Sequence, residues 1–296
     1  MKLTQFVRDN QIEIIHAHVA RDYPLAALAA ARTDARLVLT RHVLFPLNRI
    51  HKLTLRRVAR IIAVSQAVAV VLRAQGIFDQ DKVVLIHNGI EVDRFVKASE
   101  DVADKTSKRL TVGTIGHLAP IKGQEDFIRA AAIVCQDRDD VDFIIAGEDK
   151  SRTGEHRRRI EKLVDELNLK DRVRLIGWID DVSKLLPTFD LFVSASRSEP
   201  FGLAIIEAMA GGVPLIATMS EGAREIIDPE RTGRLVPIAG AEAMAKAICE
   251  LLADPNQRKT LSGNARREVR DRFSTDRMVD ATEQVYRQLV GTERED

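Results

Sequence analysis

Short apolar, β-branched runs alternate with segments of helical spacing along most of the chain. The predicted strands are Glu13–His16, Leu37–Thr40, Arg60–Val64, Val83–Ile86, Leu110–Ile115, Asp142–Ala146, Val173–Ile176, Leu191–Ser194, Pro214–Ala217 and Arg234–Val236. Between several of them apolar residues recur with helical periodicity, as in Gln124–Val134, Glu155–Leu167 and Ala241–Leu252. Strands that alternate with helices of this length form βαβ units and parallel sheets. The pattern predicts an α/β fold.

A polar segment without periodicity, Lys97–Lys108, interrupts this alternation and is typical of a linker. Six predicted strands follow it, which is enough for one complete doubly wound domain, and four precede it. A last helical stretch, Thr275–Leu289, closes the pattern. We therefore predict a first domain over residues 1–100, a second over 101–274 and a terminal segment over 275–296.

The balance of basic and acidic residues differs on the two sides of this segment. Residues 1–97 hold 15 Lys and Arg against 8 Asp and Glu, whereas the remainder holds 30 against 36. The basic first part indicates an anionic partner. Because only 4% of the 296 residues are aromatic, there is little on which nucleic-acid bases could stack. We expect a phosphorylated small molecule or a membrane surface, and no nucleic acid.

Membrane-spanning and disulfide-rich classes do not fit the composition. The longest uncharged apolar stretch, Ile61–Leu72, has 12 residues, whereas a spanning helix needs about 20. The charged N-terminal segment predicts no signal peptide. Cys135 and Cys249 form no CxxC pair, which argues against a disulfide framework and a zinc ribbon. We expect a cytoplasmic protein.

One basic segment leaves two interpretations open. Arg49–Arg60 has apolar residues at positions 50, 53, 55, 58 and 59, with basic residues between them. The segment is either an amphipathic helix lying at the inner, anionic face of a membrane or a surface helix that packs its apolar side on the protein. We favour the second.

The first candidate site loop follows the strand Leu110–Ile115. Open parallel sheets bind ligands beyond the carboxyl ends of their strands. In Gly116–Gly123 the glycines allow close backbone approach, and Lys122 would place a cation beside a helix N-terminus, which suits a diphosphate. The order GxxxxGK[ST] is absent, so the loop is not a P-loop. A glycine turn with a solvated lysine is the alternative.

The second candidate loop, residues 194–208, follows the strand Leu191–Ser194 and opens a helix. Free backbone N–H groups at the helix start would attract an anion. Glu199 in the loop and Glu207 in the helix could flank one ligand, and a carboxylate near a phosphate site usually binds sugar hydroxyls. Alternatively Glu199 caps the helix and Glu207 is solvated, although apolar neighbours of Glu207 argue against that. A third loop, Ser220–Ile227, is interpreted as a turn and cap.

The stretch SEPFGLAIIEAMAGGVP, residues 198–214, resembles the signature of the retaining GT-B glycosyltransferases of group 1 (family 4), whose EX7E motif would be Glu199 and Glu207. Other motifs of this family match in order along nearly the whole chain: Ile14–His18, Thr40–His42, Ile62–Ser65, Ile86–Ile90, Lys122–Gly123, Ile145–Glu148 and Gly233–Val236. The resemblance implies two Rossmann-like domains, the first on the acceptor side and the second binding a nucleotide sugar. It also implies a final helix that crosses back to the first domain.

The resemblance implies a role for each matching residue. Glu207 would bind the ribose. Glu199, together with the backbone amides of Phe201, Gly202 and Leu203, would hold the donor sugar and the diphosphate. Lys122 would neutralise the leaving diphosphate. His42 matches the histidine that usually faces the donor sugar, so the catalytic candidates are Lys122, Glu199 and His42. The donor-binding candidates are Gly116, His117, Lys122, Glu199, Phe201, Gly202, Leu203 and Glu207.

Three histidines could contribute charge or metal binding. His117 stands where the family usually has an arginine, and a histidine is charged only part of the time near neutral pH. His16 and His18 lie two apart on one strand face, which could suggest a metal, but no third ligand occurs at a suitable spacing. We expect no metal and no other cofactor, since the nucleoside-diphosphate sugar is the donor substrate.

The implied activity is transfer of a sugar, with retention, from a nucleoside-diphosphate sugar to an acceptor hydroxyl. Members of the family that use lipid-linked acceptors make cell-envelope glycolipid or polysaccharide synthesis a natural setting. A catalytically incompetent nucleotide-sugar-binding protein, or a subunit that needs a partner, is the alternative. A nucleotide-sugar epimerase is a third interpretation.

Compared with the family, the first domain lacks its opening βαβαβ half, roughly 60–80 residues. In a sheet ordered 3-2-1-4-5-6, the strand Glu13–His16 would then lie at an open edge. An uncovered edge strand pairs readily with another chain. We therefore expect either a homo-oligomer formed through this edge or a gene start that lies further upstream.

Overall fold

A computed structural model describes residues 2–48, 51–100 and 109–291 of the chain. The chain divides into two compact units, the first formed by Met1–Gly89 with Thr275–Asp296 and the second by Ile90–Ser274. This division lies upstream of the expected linker, so residues 90–100, which the sequence analysis placed in the first domain, belong to the second unit. Of the linker itself, residues 97–100 are helical and residues 101–108 lie outside the described part of the chain.

The first unit is built on a parallel sheet of four strands in the order β1-β2-β3-β4. Its elements up to the unit boundary are α1 (Lys2–Asp9), β1 (Ile14–Ala17), α2 (Tyr23–Ala30), β2 (Arg36–Arg41), α3 (His51–Thr54), β3 (Val58–Ala63), α4 (Gln66–Ala74) and β4 (Val83–Leu85). Five of the six residues of β2 are buried, as expected for a strand covered on both faces.

The second unit is built on a parallel sheet of six strands in the order β10-β9-β8-β5-β6-β7. Its elements are α5 (Val92–Glu100), β5 (Leu110–Ile115), α6 (Gln124–Asp137), β6 (Val141–Ala146), α7 (Glu155–Glu166), β7 (Val173–Gly177), α8 (Val182–Leu185), β8 (Leu191–Ser194), α9 (Leu203–Ala210), β9 (Leu215–Thr218), α10 (Glu221–Ile226), β10 (Arg234–Val236), α11 (Ala241–Ala253) and α12 (Pro255–Arg272). Within the unit this is the doubly wound order, and its direction of winding changes between β5 and β8.

The last helix, α13 (Thr275–Gly291), belongs to the first unit. Its Val285 and Leu289 lie in one core with Val38, Ile62 and Ile86, which come from the sheet and the residue after it. Apolar residues of α13 recur at helical spacing, so one side of the helix covers the sheet while the other carries charge.

The predicted α/β class is confirmed. Each of the ten predicted strands is present, and its bounds differ from the prediction by two residues at most. The strands were identifiable because their apolar runs are short, rich in Val and Ile and bounded by polar or glycine residues.

The predicted amphipathic helix over Arg49–Arg60 is wrong. Only His51–Thr54 is helical in the described part of this segment, and residues 49–50 lie outside it. Val58 begins β3 because it and the β-branched residues after it complete the buried sheet. Leu53 is 80% exposed, so the helical turn does not pack its apolar side on the protein.

In the described ranges, no helix combines the length and the apolar character needed to cross a bilayer. One edge of β1 is paired with β2, and no other strand of the described residues pairs with its opposite edge. Self-association through that edge therefore stays a prediction.

Candidate functional site

The two predicted site loops of the second unit lie at the point where the winding direction changes. The loop of residues 116–123 follows β5, and the loop of residues 195–202 follows β8, the neighbour of β5 in the sheet. Carboxyl ends of adjacent parallel strands meet at one edge of the sheet, and a crevice forms there because their helices leave to opposite faces. The topology therefore brings the two loops together.

Gly123 sets how closely the loops approach each other. Its φ is +67°, and a Cβ added there would lie 2.0 Å from the carbonyl oxygen of Ala195. A side chain at position 123 would therefore require the backbone of the second loop to move. The adjacent residue, Lys122, ends a 3-10 turn that precedes α6.

Lys122 and Glu199 form an ion pair at this edge, with 2.5 Å between Lys122 Nζ and Glu199 Oε2. Their side chains are 28% and 15% exposed. Ser196 Oγ donates a hydrogen bond of 3.2 Å to the same carboxylate oxygen. The structure thus joins two residues that the sequence analysis placed in separate loops. A charge-assisted pair with little exposure is held in a fixed geometry.

The second loop is also hydrogen-bonded to α6. Arg197 donates two hydrogen bonds of 3.0 Å to the two carboxylate oxygens of Asp126, which is buried. The backbone N–H of Arg197 donates to the carbonyl of Ile121 at 2.8 Å. A bidentate arginine contact restricts orientation as well as distance, so the loop that carries Glu199 is rigidly placed against the loop that carries Lys122.

The start of α9 offers unpaired amides. Gly202 precedes the helix with φ +114°, and Leu203 begins it. Among the described residues no acceptor receives the N–H of Gly202 or of Leu203. Phe201 contributes a buried ring, which packs edge-on against Phe273 with 5.6 Å between centroids. Two free amides at a helix N-terminus form a site suited to an anion.

Glu207 lies on the second turn of α9 and is half-buried. Burial raises the pKa of its carboxyl, and Arg94 of α5 partly opposes that shift. No described residue donates a hydrogen bond to the Glu207 carboxylate. A partly buried carboxylate without a hydrogen-bond donor is costly for the fold and is therefore a candidate ligand-binding group. The two glutamates of the motif thus differ, because Glu199 is paired and Glu207 is not.

His117 is exposed in the first loop and stacks on Trp178, with 6.3 Å between ring centroids and 15° between planes. Burial lowers the pKa of His117, and the nearby cations Lys150 and Lys122 lower it further. Lys150 Nζ lies 5.2 Å from the centre of the Trp178 ring, within cation–π distance. The imidazole is therefore mainly uncharged at neutral pH, in contrast to an arginine.

Trp178 and Lys150 were missed by the sequence analysis. Trp178 is 54% exposed and directly follows β7, while Lys150 lies in the loop after β6. Both therefore lie beyond carboxyl ends of strands in the same sheet as the two predicted loops. The position of the chain's one tryptophan right after a predicted strand was the available signal.

In the first unit, His16 is enclosed by hydrogen bonds. Its Nδ1 lies 2.5 Å from the hydroxyl of Tyr286 on α13, and its Nε2 lies 2.7 Å from the hydroxyl of Thr40 on β2. Burial lowers the pKa of His16 to about 4, helped by the neighbouring His18 and His42. A neutral imidazole has one N–H donor and one acceptor, which two hydroxyls can satisfy.

His42 directly follows β2 and stacks on His18, with 5.6 Å between centroids and 3.3 Å between His18 Nδ1 and His42 Nε2. Burial, His18 and Arg41 lower the pKa of His42. A cavity of about 360 Å³ opens at this end of the first sheet. It is lined by His16, His18, Thr40, His42, Ile62, Val64, Ile86, Asn88, Met278, Val279, Thr282, Glu283 and Tyr286.

The described residues include no group of three or more His, Cys, Asp or Glu side chains placed to hold a metal ion. His16 uses both ring nitrogens on hydroxyls, so it is not directed at a shared point with His18 and His42. The site of the second unit thus has four parts. They are the Lys122–Glu199 pair, the unpaired amides that start α9, the Glu207 carboxylate, and the cluster of His117, Trp178 and Lys150. This set can bind an anion together with a polyhydroxyl group.

Curated relatives resemble parts of the chain. A lipopolysaccharide core biosynthesis glycosyltransferase, LpsE, from Rhizobium meliloti (strain 1021) is 35% identical over 139 residues, which is 47% of this chain and 40% of LpsE. The lipopolysaccharide core biosynthesis mannosyltransferase LpcC from Rhizobium leguminosarum bv. viciae is 30% identical over 217 residues, 71% of this chain and 61% of LpcC. The chain therefore spans about two fifths to three fifths of the length of these relatives.

Solved structures share the fold. A glycosyltransferase from Rickettsia africae ESF-5 has a TM-score of 0.87 and 22% sequence identity, covering all of this chain and 80% of that one. HepE of Anabaena, solved in complex with UDP and glucose, has a TM-score of 0.85 and 23% identity, covering 97% of this chain and 80% of HepE. The predicted GT-B class, with two parallel-sheet α/β domains, is confirmed by this similarity.

Two family models together match nearly the whole chain. The model described as Glycosyltransferase Family 4 matches residues 1–94. The model described as Glycosyl transferases group 1 matches residues 96–268, which include every donor-site candidate of the second unit. Because this second match covers more than half of the chain and contains the paired Glu199 and the free Glu207, the chain belongs to the group 1 glycosyltransferases.

Proposed function

We propose that this chain transfers a sugar, with retention, from a nucleoside-diphosphate sugar to an acceptor hydroxyl. The observation that carries the proposal is the Lys122–Glu199 pair at the crevice of the second sheet, next to the unpaired amides that start α9. A cation and two free N–H groups suit a diphosphate. HepE of Anabaena has been solved with UDP-glucose and resembles this chain in fold.

Each polar group of the crevice has a place in donor binding. The amides of Gly202 and Leu203 would bind phosphate oxygens, and Glu207 would accept hydrogen bonds from ribose hydroxyls. Glu199 would hold the hydroxyls of the donor sugar while it keeps its contact with Lys122. Hydrogen-bond donors thus bind the diphosphate and carboxylate acceptors bind the two sets of hydroxyls, which fixes the orientation of the sugar relative to the diphosphate.

The proposed reaction needs no covalent intermediate with the protein. The bond from the sugar's anomeric carbon to the phosphate oxygen breaks, and the bond from that carbon to the acceptor oxygen forms on the same face. The acceptor proton goes to the leaving phosphate oxygen. Lys122 stabilises the negative charge that develops on the diphosphate, and such preorganised charges are often the largest single contribution to catalysis.

The acceptor would bind in the first unit, at the cavity beside His42. Among the described residues its lining includes no Lys or Arg, the pKa values of His16 and His42 are lowered, and much of its wall is apolar. These features favour an uncharged, hydroxyl-bearing group over a phosphate at this position. The relatives act in lipopolysaccharide core biosynthesis, so we propose an envelope glycolipid or polysaccharide as the acceptor.

The environment of His117 supports a second candidate, a protein that binds nucleotide sugars without turnover or that needs a partner. A neutral His117 adds no positive charge beside Lys122, and Glu199 already offsets the charge of Lys122. If leaving-group stabilisation is insufficient, binding occurs without transfer. Donor hydrolysis by the purified chain distinguishes the two, because a bound donor that is never hydrolysed, even with candidate acceptors, supports the second candidate.

A thermal-shift panel tests the donor class. The chain is mixed with UDP-, GDP- and ADP-sugars and with the free nucleoside diphosphates. A ligand present at about 100 times its dissociation constant stabilises the folded protein by roughly 2.7 kcal/mol. We expect one base to raise the melting temperature, and the Glu207→Ala variant to lose that shift. No shift with any nucleotide or nucleotide sugar would overturn the proposed function.

A further inference from the structure

The segment that starts α10 holds the backbone of Glu199. Glu221 Oε2 accepts hydrogen bonds from Ser198 Oγ at 3.1 Å and from the backbone N–H of Glu199 at 3.2 Å. The next residue, Gly222, donates its N–H to the carbonyl of Glu199 at 2.8 Å. Two consecutive residues of the third loop therefore bind both backbone polar groups of Glu199.

Gly222 allows this contact because it has no side chain. A Cβ at position 222 would lie 1.9 Å from the carbonyl oxygen of Phe201, which is a backbone atom that cannot yield as a flexible side chain would. The start of α10 is thus packed against the loop of residues 195–202 at backbone distance. The predicted turn and cap over Ser220–Ile227 does not include this contact.

Glu221 does not cap its own helix. It is the first residue of α10, and Ser220 before it makes no side-chain capping hydrogen bond. The Glu221 carboxylate is exposed at the surface, yet its hydrogen bonds go to the neighbouring loop. Replacement of this carboxylate would leave the Glu199 amide without its acceptor.

We infer that Glu221 is a positioning residue, which holds the backbone of Glu199 so that its carboxylate meets Lys122. The side chain of Glu199 is bound by Lys122 and Ser196, and its backbone by Glu221 and Gly222. Loss of the backbone contacts would let the carboxylate move while the ribose-binding Glu207, on α9, keeps its place. The expected effect of Glu221 on turnover rests on the proposed function, whereas its expected effect on the loop does not.

Hydrogen exchange of the full chain tests the effect on the loop without any ligand. The variants are Glu221→Ala, Glu221→Gln, whose amide oxygen still accepts a hydrogen bond, and the control Glu155→Ala. Glu155 is also an exposed first residue of a helix, α7, and it makes no side-chain hydrogen bond within the described residues. We expect the Glu199 amide to exchange about tenfold faster in Glu221→Ala, since it loses a charged acceptor. We expect changes below about threefold in Glu221→Gln and in the control.

Kinetics with the donor found in the thermal-shift panel test the effect on turnover. Glu221→Ala should lower kcat by about tenfold, leave the nucleoside-diphosphate Kd within about twofold, and be largely rescued by Glu221→Gln. Unchanged exchange at Glu199 in Glu221→Ala would overturn the inference, as would faster exchange with unchanged kcat. If wild-type protein turns over no nucleotide sugar, the proposed function fails, while the exchange comparison still decides whether Glu221 holds the loop.

Discussion

Lys122 Nζ and Glu199 Oε2 lie 2.5 Å apart across the crevice where the second sheet changes its winding direction. The two residues are 77 positions apart in sequence and come from loops that follow adjacent strands. Because the pair is mostly shielded from water, each charge stabilises the other more than an exposed pair would. An incoming diphosphate would meet a lysine that is already fixed in direction.

Removal of the lysine should slow turnover more than it weakens donor binding. For Lys122→Ala we expect kcat to fall by about 10²–10³ and the nucleoside-diphosphate Kd to rise by less than about tenfold. Lys122→Arg, which keeps the charge, should recover part of kcat. Steady-state kinetics and calorimetric titration measure these quantities.

The same pair predicts non-additive effects. In a double-mutant cycle, Lys122→Ala with Glu199→Gln should cost less than the sum of the two single changes, because each single change leaves a partner without its counter-charge. Strictly additive effects on kcat would contradict a functional role for this ion pair.

Glu207 should bind the nucleotide at a cost to stability. Burial raises the pKa of its carboxyl above the ordinary value of 4.5, so the folded state holds the proton more tightly than the unfolded state. The charged form therefore destabilises the fold at neutral pH, and this effect disappears as the pH falls below the ordinary value. We expect the melting temperature of Glu207→Gln to exceed that of wild type at pH 7. Near pH 4 the two melting temperatures should be equal.

Substitution of Glu207 should weaken nucleotide binding, although removal of its charge stabilises the fold. Glu207→Ala should weaken nucleotide binding by about tenfold or more, which corresponds to the loss of hydrogen bonds to a charged group. Glu242→Gln is a suitable control, because Glu242 is an exposed helical glutamate with no partner among the described residues. Unchanged nucleotide affinity in the Glu207 variant would exclude the ribose assignment.

Local pattern was sufficient to predict the strands and to select Glu199 and Glu207 as candidates. Val and Ile runs bounded by polar residues identify strands without tertiary information, and the spacing of Glu199 and Glu207 is carried by the residues themselves. The different states of these glutamates could not be predicted. Glu199 is paired because Gly123 lets its loop pass close to Ala195, and such a contact between distant segments leaves no local periodicity.

The segment Arg49–Arg60 shows where local pattern misleads. Its apolar positions fit a helix when the segment is considered alone, but Val58 and the residues after it are needed to complete the first sheet. Tertiary packing outweighs the weaker local preference. Trp178 was missed for a related reason, because its role depends on His117 and Lys150, which reach it from other loops.

Substitution of His117 by arginine should increase turnover. The lowered pKa keeps the imidazole mainly neutral at pH 7, whereas an arginine stays charged and can also stack on Trp178. We expect His117→Arg to raise kcat by several-fold to about tenfold. The kcat of wild type should rise relative to the variant as the pH falls and His117 gains a proton.

His117→Ala provides the matching comparison. If the neutral imidazole contributes little to the reaction, this variant should stay within about twofold of wild type at pH 7.5. A loss of more than about tenfold would mean that His117 acts in its neutral form. Activity gained by the arginine variant from an inactive wild type would favour the binding protein as the function of the natural chain.

We predict that any contact of the chain with an anionic membrane depends on Leu53. This side chain is 80% exposed on α3, and Lys52, Arg56 and Arg57 around it are exposed as well. Burial of a leucine contributes about 1.5–3 kcal/mol, and each basic residue near an anionic surface contributes about 1 kcal/mol. We expect Leu53→Ser to lower the partitioning onto vesicles of anionic phospholipid by about tenfold or more.

Val70→Ser is the control, since Val70 is an exposed apolar residue on α4 outside the basic segment. Cosedimentation with anionic and with zwitterionic vesicles measures both, and equal weak binding of wild type to the two vesicle types would exclude the membrane contact.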